Sequence, residues 1–125
     1  MVQQFVLLAL AGGLGALARY GLAGVASRYY GPGFPWGTFL VNAAGCFLFG
    51  VVWSLAEERV MMDANTQAIV LTGFMGAFTT FSTFIFETGE LIRTEQWLLA
   101  FGNLGGKLLA GLLFLFAGIS VGRIF

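Results

Sequence analysis

The stretch from Gly73 to Phe84 crowds glycines, phenyl rings and the hydroxyls of Thr79, Thr80, Ser82 and Thr83 into the middle of an apolar segment. Lipid at that depth favours Leu and Val, so the stretch points to polar cargo rather than to filling space. Asn42 sits within the preceding apolar segment, with Thr38 one turn away on the same face. A mid-membrane amide costs free energy unless something bonds to it. An Asn side chain offers two N–H groups and each Ser or Thr one O–H, a donor set that suits an anion. Phe81 and Phe84 stand three residues apart, on one side of a helix. A phenyl ring is positive at its edge, so both rings turned edge-on would add weak C–H donation. A small anion fits this lining and an organic cation does not. Taken singly, each residue has a plainer use: Phe in a membrane helix usually packs, and a lone hydroxyl bonds the carbonyl one turn back. The clustering with Asn42 and Arg19 is what raises the anion reading. Gly73 and Gly76 ahead of the Thr79-Thr80 pair invite a helix break, with loose carbonyls able to bind a cation.

Composition sets the solvent. Of 125 residues, 58% are hydrophobic and 10% charged, and the mean hydropathy of +0.89 lies far above that of soluble globular chains. The chain belongs in a lipid bilayer. Formal net charge is zero with no basic patch, which argues against nucleic acid and against a polybasic lipid anchor. There is no histidine, and the one cysteine, Cys46, lies in an apolar segment, so zinc or haem chemistry of the usual kind is not expected. No nucleophile, base and orienting group converge, which argues against an enzyme.

The expected architecture is an all-α integral membrane protein, a single four-helix membrane domain over residues 1–125 with helices at about 5–25, 36–56, 66–92 and 97–121. The third helix is expected to be broken near its middle. Ala16-Leu17-Ala18 resembles a signal-peptidase site, but no cation precedes the apolar run and Arg19 follows at once, so the first segment reads as a retained helix. Arg19 is open to three uses: snorkelling to headgroups, a structural link, or a positive potential at a pore mouth. Trp36 and Trp53 lie seventeen residues apart, roughly 25 Å along a helix, as interfacial belt residues would. Asp63 or Asn65 is placed to cap the third helix. Glu87 follows the hydroxyl-rich stretch. In the last segment Asn103, Lys107 and Gly111 share one face, and Lys107 lies about 15 Å into the helix, too deep for easy snorkelling. It pairs with Glu87 or stays neutral, and it either attracts an anion or traps it; the sequence leaves these open. Glycines in the first segment and the pairs Gly102–Gly106 and Gly118–Gly122 have the spacing that lets membrane helices approach closely.

Four spans put both termini on one side, with Arg59 and Arg123 there and Arg28 and Arg93 opposite. The positive-inside rule then favours neither orientation, and such balance permits insertion both ways round and pairing with an inverted copy. Four helices alone leave little room for a polar route, so a dimer is the natural unit.

Three stretches, Gly12 to Tyr20, Gly37 to Gly45 and Gly73 to Phe84, resemble the signature segments of the Fluc (CrcB) family of fluoride channels, in order, at family spacing and in a chain of family length. The resemblance implies an antiparallel, dual-topology homodimer in the cell membrane, with two pathways that export fluoride passively and a structural sodium ion at the dimer centre. It implies that main-chain carbonyls of Gly76 and Thr79 hold the sodium, and that Phe81, Phe84 and Asn42 line the fluoride route. It places Thr38 and Thr83 beside that route, Asn103 and Lys107 on the polar track of the last helix, Arg19 in the first helix and Glu87 near the pore end. Lys107 departs from the hydroxyl-bearing pattern of that track. Two rivals stay in view. A small multidrug-type cation exporter would need a buried carboxylate in the first helix, where this chain has Arg19 and no acid. A non-conducting membrane assembly subunit would use the same glycines and threonines only to pack helices.

Overall fold

The computed structural model describes residues 1–125, and all of its regular structure is helical. Helix α1 covers Val2–Tyr30, α2 covers Trp36–Glu58, α3 covers residues 64–78, α4 covers Ser82–Arg93 and α5 covers Trp97–Ile124. With α3 and α4 counted together as Ala64–Arg93, four helices are long and apolar enough to cross a membrane. Helix α1 extends beyond the expected 5–25 at both ends because nothing in residues 26–30 breaks it. It stops where Gly31 turns to φ 77°, a backbone that glycine adopts at little cost, and the Gly31 N–H closes the last turn on Ser27. Asp63 caps α3 by accepting from the Thr66 N–H, and hydrogen bonding to Thr66, through its side chain first and its N–H second, holds the Asp63 carboxyl below the usual carboxylate range. Two wide π-helical stretches, Ser54–Glu58 in α2 and Ile69–Met75 in α3, rotate the residues that follow relative to a regular helix.

Packing depends on small residues. Helices α2 and α5 form the most extensive pair. At their crossing a Cβ added to Gly118 would lie 2.0 Å from the Phe47 carbonyl oxygen, and one added to Gly50 would lie 2.3 Å from that of Leu115. The two backbones therefore touch, which only glycine permits. Helix α1 lies on α3 in the same manner, with Gly15 against the Phe74 carbonyl. Between α2 and α3 the side chains of Val41, Met75 and Phe78 are buried and flanked by Leu22, Ala23, Leu71 and Phe74. Large apolar side chains such as Leu17, Leu98 and Leu113 point outward, as a bilayer solvent requires.

The two expected glycine pairs of α5 differ. Gly118 and Gly122 both meet α2, whereas in the other pair Gly106 meets the Phe39 ring of α2 and nothing lies within 4 Å of a Cβ added to Gly102. Gly118→Val is accordingly expected to destabilise the purified protein by about 1–3 kcal/mol through overpacking. Gly102→Ala, which fills open space on a helix, is expected to be neutral or to stabilise by up to about 1 kcal/mol. Thermal unfolding in detergent measures both, and equal behaviour of the two variants would contradict this packing.

Candidate functional site

The site is built around the gap between α3 and α4. Thr79 is extended at φ −84° and ψ 159°, which ends α3 and leaves peptide groups without their helical partners. Two side chains from other helices take up some of them. Arg19 of α1 donates from Nε to the Ala77 carbonyl at 3.1 Å. Asn42 of α2 treats Thr80 as a neighbouring strand would: its Nδ2 donates to the Thr80 carbonyl at 3.0 Å and its Oδ1 accepts from the Thr80 N–H at 2.9 Å. The Thr79 hydroxyl donates back to the Met75 carbonyl, and the Thr80 hydroxyl donates to that of Thr83 at 3.0 Å. Gly45 makes room for the gap, since a Cβ there would lie 2.2 Å from the Thr79 methyl.

Beside the gap lies a cavity of about 370 Å³ lined by Asn42, Thr79, Thr80, Phe81, Phe84 and Lys107 among others. The Phe81 and Phe84 rings meet edge to face, 5.9 Å between centroids and 86° between planes. Their environments differ: Phe84 is buried at 6%, whereas Phe81 is 72% exposed on the single chain.

A chain of polar side chains then joins α2, α4 and α5. The Thr38 hydroxyl donates to Glu87 Oε1, and Glu87 Oε2 faces Lys107 Nζ at 3.5 Å. Lys107 also lies over the Phe84 ring, 4.7 Å from its centroid. One turn away, Asn103 Nδ2 donates to the Thr88 hydroxyl at 2.9 Å, which donates to the Phe84 carbonyl at 2.8 Å. Asn103 is fully buried and its Oδ1 has no partner.

Of the sequence-predicted residues, Asn42, Phe81, Phe84 and Lys107 line one cavity, and Thr38, Thr83, Glu87 and Asn103 are bonded around it. Arg19 bonds the Ala77 carbonyl, a contact that fits the structural link among the three uses open to it. Lys107 is paired with Glu87. Asn42 departs from its expected character as a pair of anion donors, because one N–H and the carbonyl are already occupied by Thr80 and one N–H remains. Thr88 and Cys46 join the site without being marked for it by the sequence pattern, and Thr80 joins it from the hydroxyl-rich stretch that the sequence did mark. Thr80 and Cys46 line the cavity, and Thr88, one turn after Phe84 and facing Asn103, is legible only once α4 and α5 are known to pack.

The Gly76 and Thr79 carbonyls suit a cation. Neither accepts a backbone or side-chain hydrogen bond across the gap, whereas the neighbouring Ala77 and Thr80 carbonyls do. Uncharged main-chain oxygens are the ligands a hard monovalent ion prefers, and no cluster of carboxylate, thiol or imidazole groups competes with them.

A profile of the family described as CrcB-like protein, Camphor Resistance (CrcB), matches residues 6–119. Among curated proteins, one from Nitrosococcus oceani named fluoride-specific ion channel FluC is 50% identical over 124 residues, covering 99% of both chains. A protein of the same name from Nitratidesulfovibrio vulgaris (strain DSM 19637 / Miyazaki F) is 52% identical over 123 residues, covering 98% of this chain and 99% of its own. Another from Solidesulfovibrio magneticus is 49% identical over 124 residues, with 99% of each chain covered. Since the match runs from the first helix to the last and takes in Arg19, Asn42, the interrupted third span and Lys107, the chain belongs to the CrcB-like family.

Proposed function

We propose that this chain forms a fluoride-selective channel that lets the anion leave the cell passively across the cytoplasmic membrane. The observation that carries the reading is the cavity beside the α3–α4 gap, where Asn42, Phe81, Phe84 and Lys107 converge in a chain whose full-length relatives bear a fluoride-channel name. Selectivity follows from size and hydrogen bonding. Removing an ion from water costs tens of kcal/mol by Born estimates, and a few donors replace only part of that, so the route holds a partly hydrated anion. Fluoride is small and a strong acceptor, so it gains most from the remaining Asn42 N–H, the Lys107 ammonium and the ring edges of Phe81 and Phe84.

In this reading the working unit is an antiparallel homodimer with two routes. The exposure of Phe81 on the single chain and the balanced loop cations support it. A sodium ion on the Gly76 and Thr79 carbonyls would supply fixed positive charge at the gap and complete the coordination of its backbone. Arg19 and Asn42 hold that backbone in place, Thr38 and Thr83 orient their neighbours, and Asn103 anchors α5 to α4 through Thr88. A non-conducting assembly role leaves the convergence of Lys107 and Glu87 inside a polar route without a purpose.

Three outcomes are expected in liposomes loaded with halide and followed by ion-selective electrodes. The wild-type protein releases fluoride at least about a hundredfold faster than chloride, a ratio equivalent to ~3 kcal/mol of barrier, and equal rates would defeat the selectivity claim. Asn42→Asp, which turns the donor toward Thr80 into a repelling carboxylate beside the route, slows fluoride efflux by about a hundredfold. Replacing all sodium by N-methylglucamine lowers the thermal midpoint of the detergent-solubilised protein and slows efflux, since a ligand bound only by the folded assembly stabilises it; an unchanged midpoint would count against the carbonyl site.

A further inference from the structure

We infer that Lys107 is an anion-binding residue whose resting occupant is the carboxylate of Glu87, and that fluoride advances by exchanging with that carboxylate. The inference rests on the channel reading above and assigns it a residue-level step. Each member of the pair lines a different cavity. Lys107 lines the inner cavity with Asn42, Thr80, Phe81 and Phe84. Glu87 lines a second, of about 270 Å³, whose walls include Pro32, Gly33, Glu90, Thr94 and Gln96 from the loop end of the bundle. Measured at 1.5 Å per residue from the helix ends that face this loop, Arg93 and Trp97, Glu87 lies about 9 Å deep and Lys107 about 15 Å deep. An anion entering from the loop end therefore meets the carboxylate first and the ammonium behind it.

The geometry is that of an exchangeable pair. Glu87 divides its oxygens, Oε1 taking the Thr38 hydroxyl and Oε2 facing Lys107 at 3.5 Å, the outer limit of a hydrogen bond. Loss of the Lys107 contact thus leaves the carboxylate still held by Thr38. The Lys107 ammonium likewise keeps a second partner when the carboxylate is displaced, because the Phe84 ring lies 4.7 Å from it. A bare carboxylate at the mouth would repel the cargo and a bare ammonium would retain it, whereas a tethered carboxylate competing for the same ammonium lets the anion both arrive and leave. No proton transfer or covalent step is needed: one anion replaces another on a single cation, and the tether returns when the cargo moves on.

The test is the dependence of efflux rate on internal fluoride concentration in liposomes. Glu87→Gln keeps the Thr38 bond and the shape but removes the competing charge. It is expected to lower the half-saturating fluoride concentration by about tenfold and to slow the saturated rate, as a site that binds too well releases poorly. Lys107→Met is expected to raise the half-saturating concentration by at least about tenfold, with Lys107→Arg restoring it to within about threefold of wild type. Should Lys107→Met fail to assemble, Glu87→Gln decides alone. A purely structural pair would lower thermal stability in the variants and leave half-saturation at the wild-type value; that result overturns the inference while wild-type flux keeps the channel reading intact. Absence of fluoride flux from the wild-type protein overturns both.

Discussion

A helix cannot be interrupted in hydrocarbon unless other groups satisfy its freed peptides, and the arrangement of this chain follows from that constraint at Thr79. Each unpaired N–H or C=O at such depth costs several kcal/mol. Arg19 reaches Ala77 from α1, and Asn42 reaches both sides of Thr80 from α2, so the gap fixes the positions of two helices at once. Those bonds can form because the backbones are allowed to be close: Gly15 lies against Phe74, and Gly45 faces the Thr79 methyl. Glycine packing and side-chain donation are thus two halves of one solution. The orientation of α4, and with it the placement of Phe81 and Phe84 beside the cavity, is set by where the gap is pinned.

The second constraint is charge. Lys107 lies 3% exposed in α5, and an isolated ammonium there would be strongly unfavourable. Its partners come from elsewhere, Glu87 from α4 and the Phe84 ring one turn before it, while Thr38 of α2 completes the carboxylate's bonding. Removing one member of such a pair usually costs more than the pair contributes, about 3–5 kcal/mol, because the other charge is left unpaired. Asn103 adds a neutral tie between the same two helices through Thr88. Its unpartnered Oδ1 lies fully buried, an arrangement that costs about 1–3 kcal/mol in most proteins.

The helical architecture was legible because apolar runs of membrane length admit little else, and an interruption of the third span was expected from Gly73 and Gly76 ahead of Thr79-Thr80. The cause of that interruption was not. Gly73 and Gly76 remain helical; Gly73 instead lets α1 approach, with a Cβ there only 3.0 Å from that of Ala11. What holds the gap open is side-chain bonding from residues 58 and 38 positions away, which no local pattern encodes. The same distance effect changed Asn42 from a free donor pair into a clamp. Counting donors along a sequence cannot tell which of them backbone groups will claim. The pairing of Lys107 was readable as one of two options, because a deep lysine with only Glu87 and Glu90 as acids in the neighbouring span has few partners.

One chain by itself offers an anion very few free donors. The Thr79 hydroxyl is committed to Met75 and that of Thr80 to Thr83, and Asn42 keeps a single N–H. To these are added the ammonium hydrogens of Lys107 not directed at Glu87 and the edges of two rings. This set is far too small to replace a hydration shell worth tens of kcal/mol. Water must therefore accompany the ion, or a second copy must bring its own donors to the exposed side of the cavity, and the 72% exposure of Phe81 leaves that side open to one. The shortage also has a kinetic consequence: a lining that cannot fully compensate dehydration cannot hold the ion tightly, and a conducting route needs that weakness as much as it needs the donors.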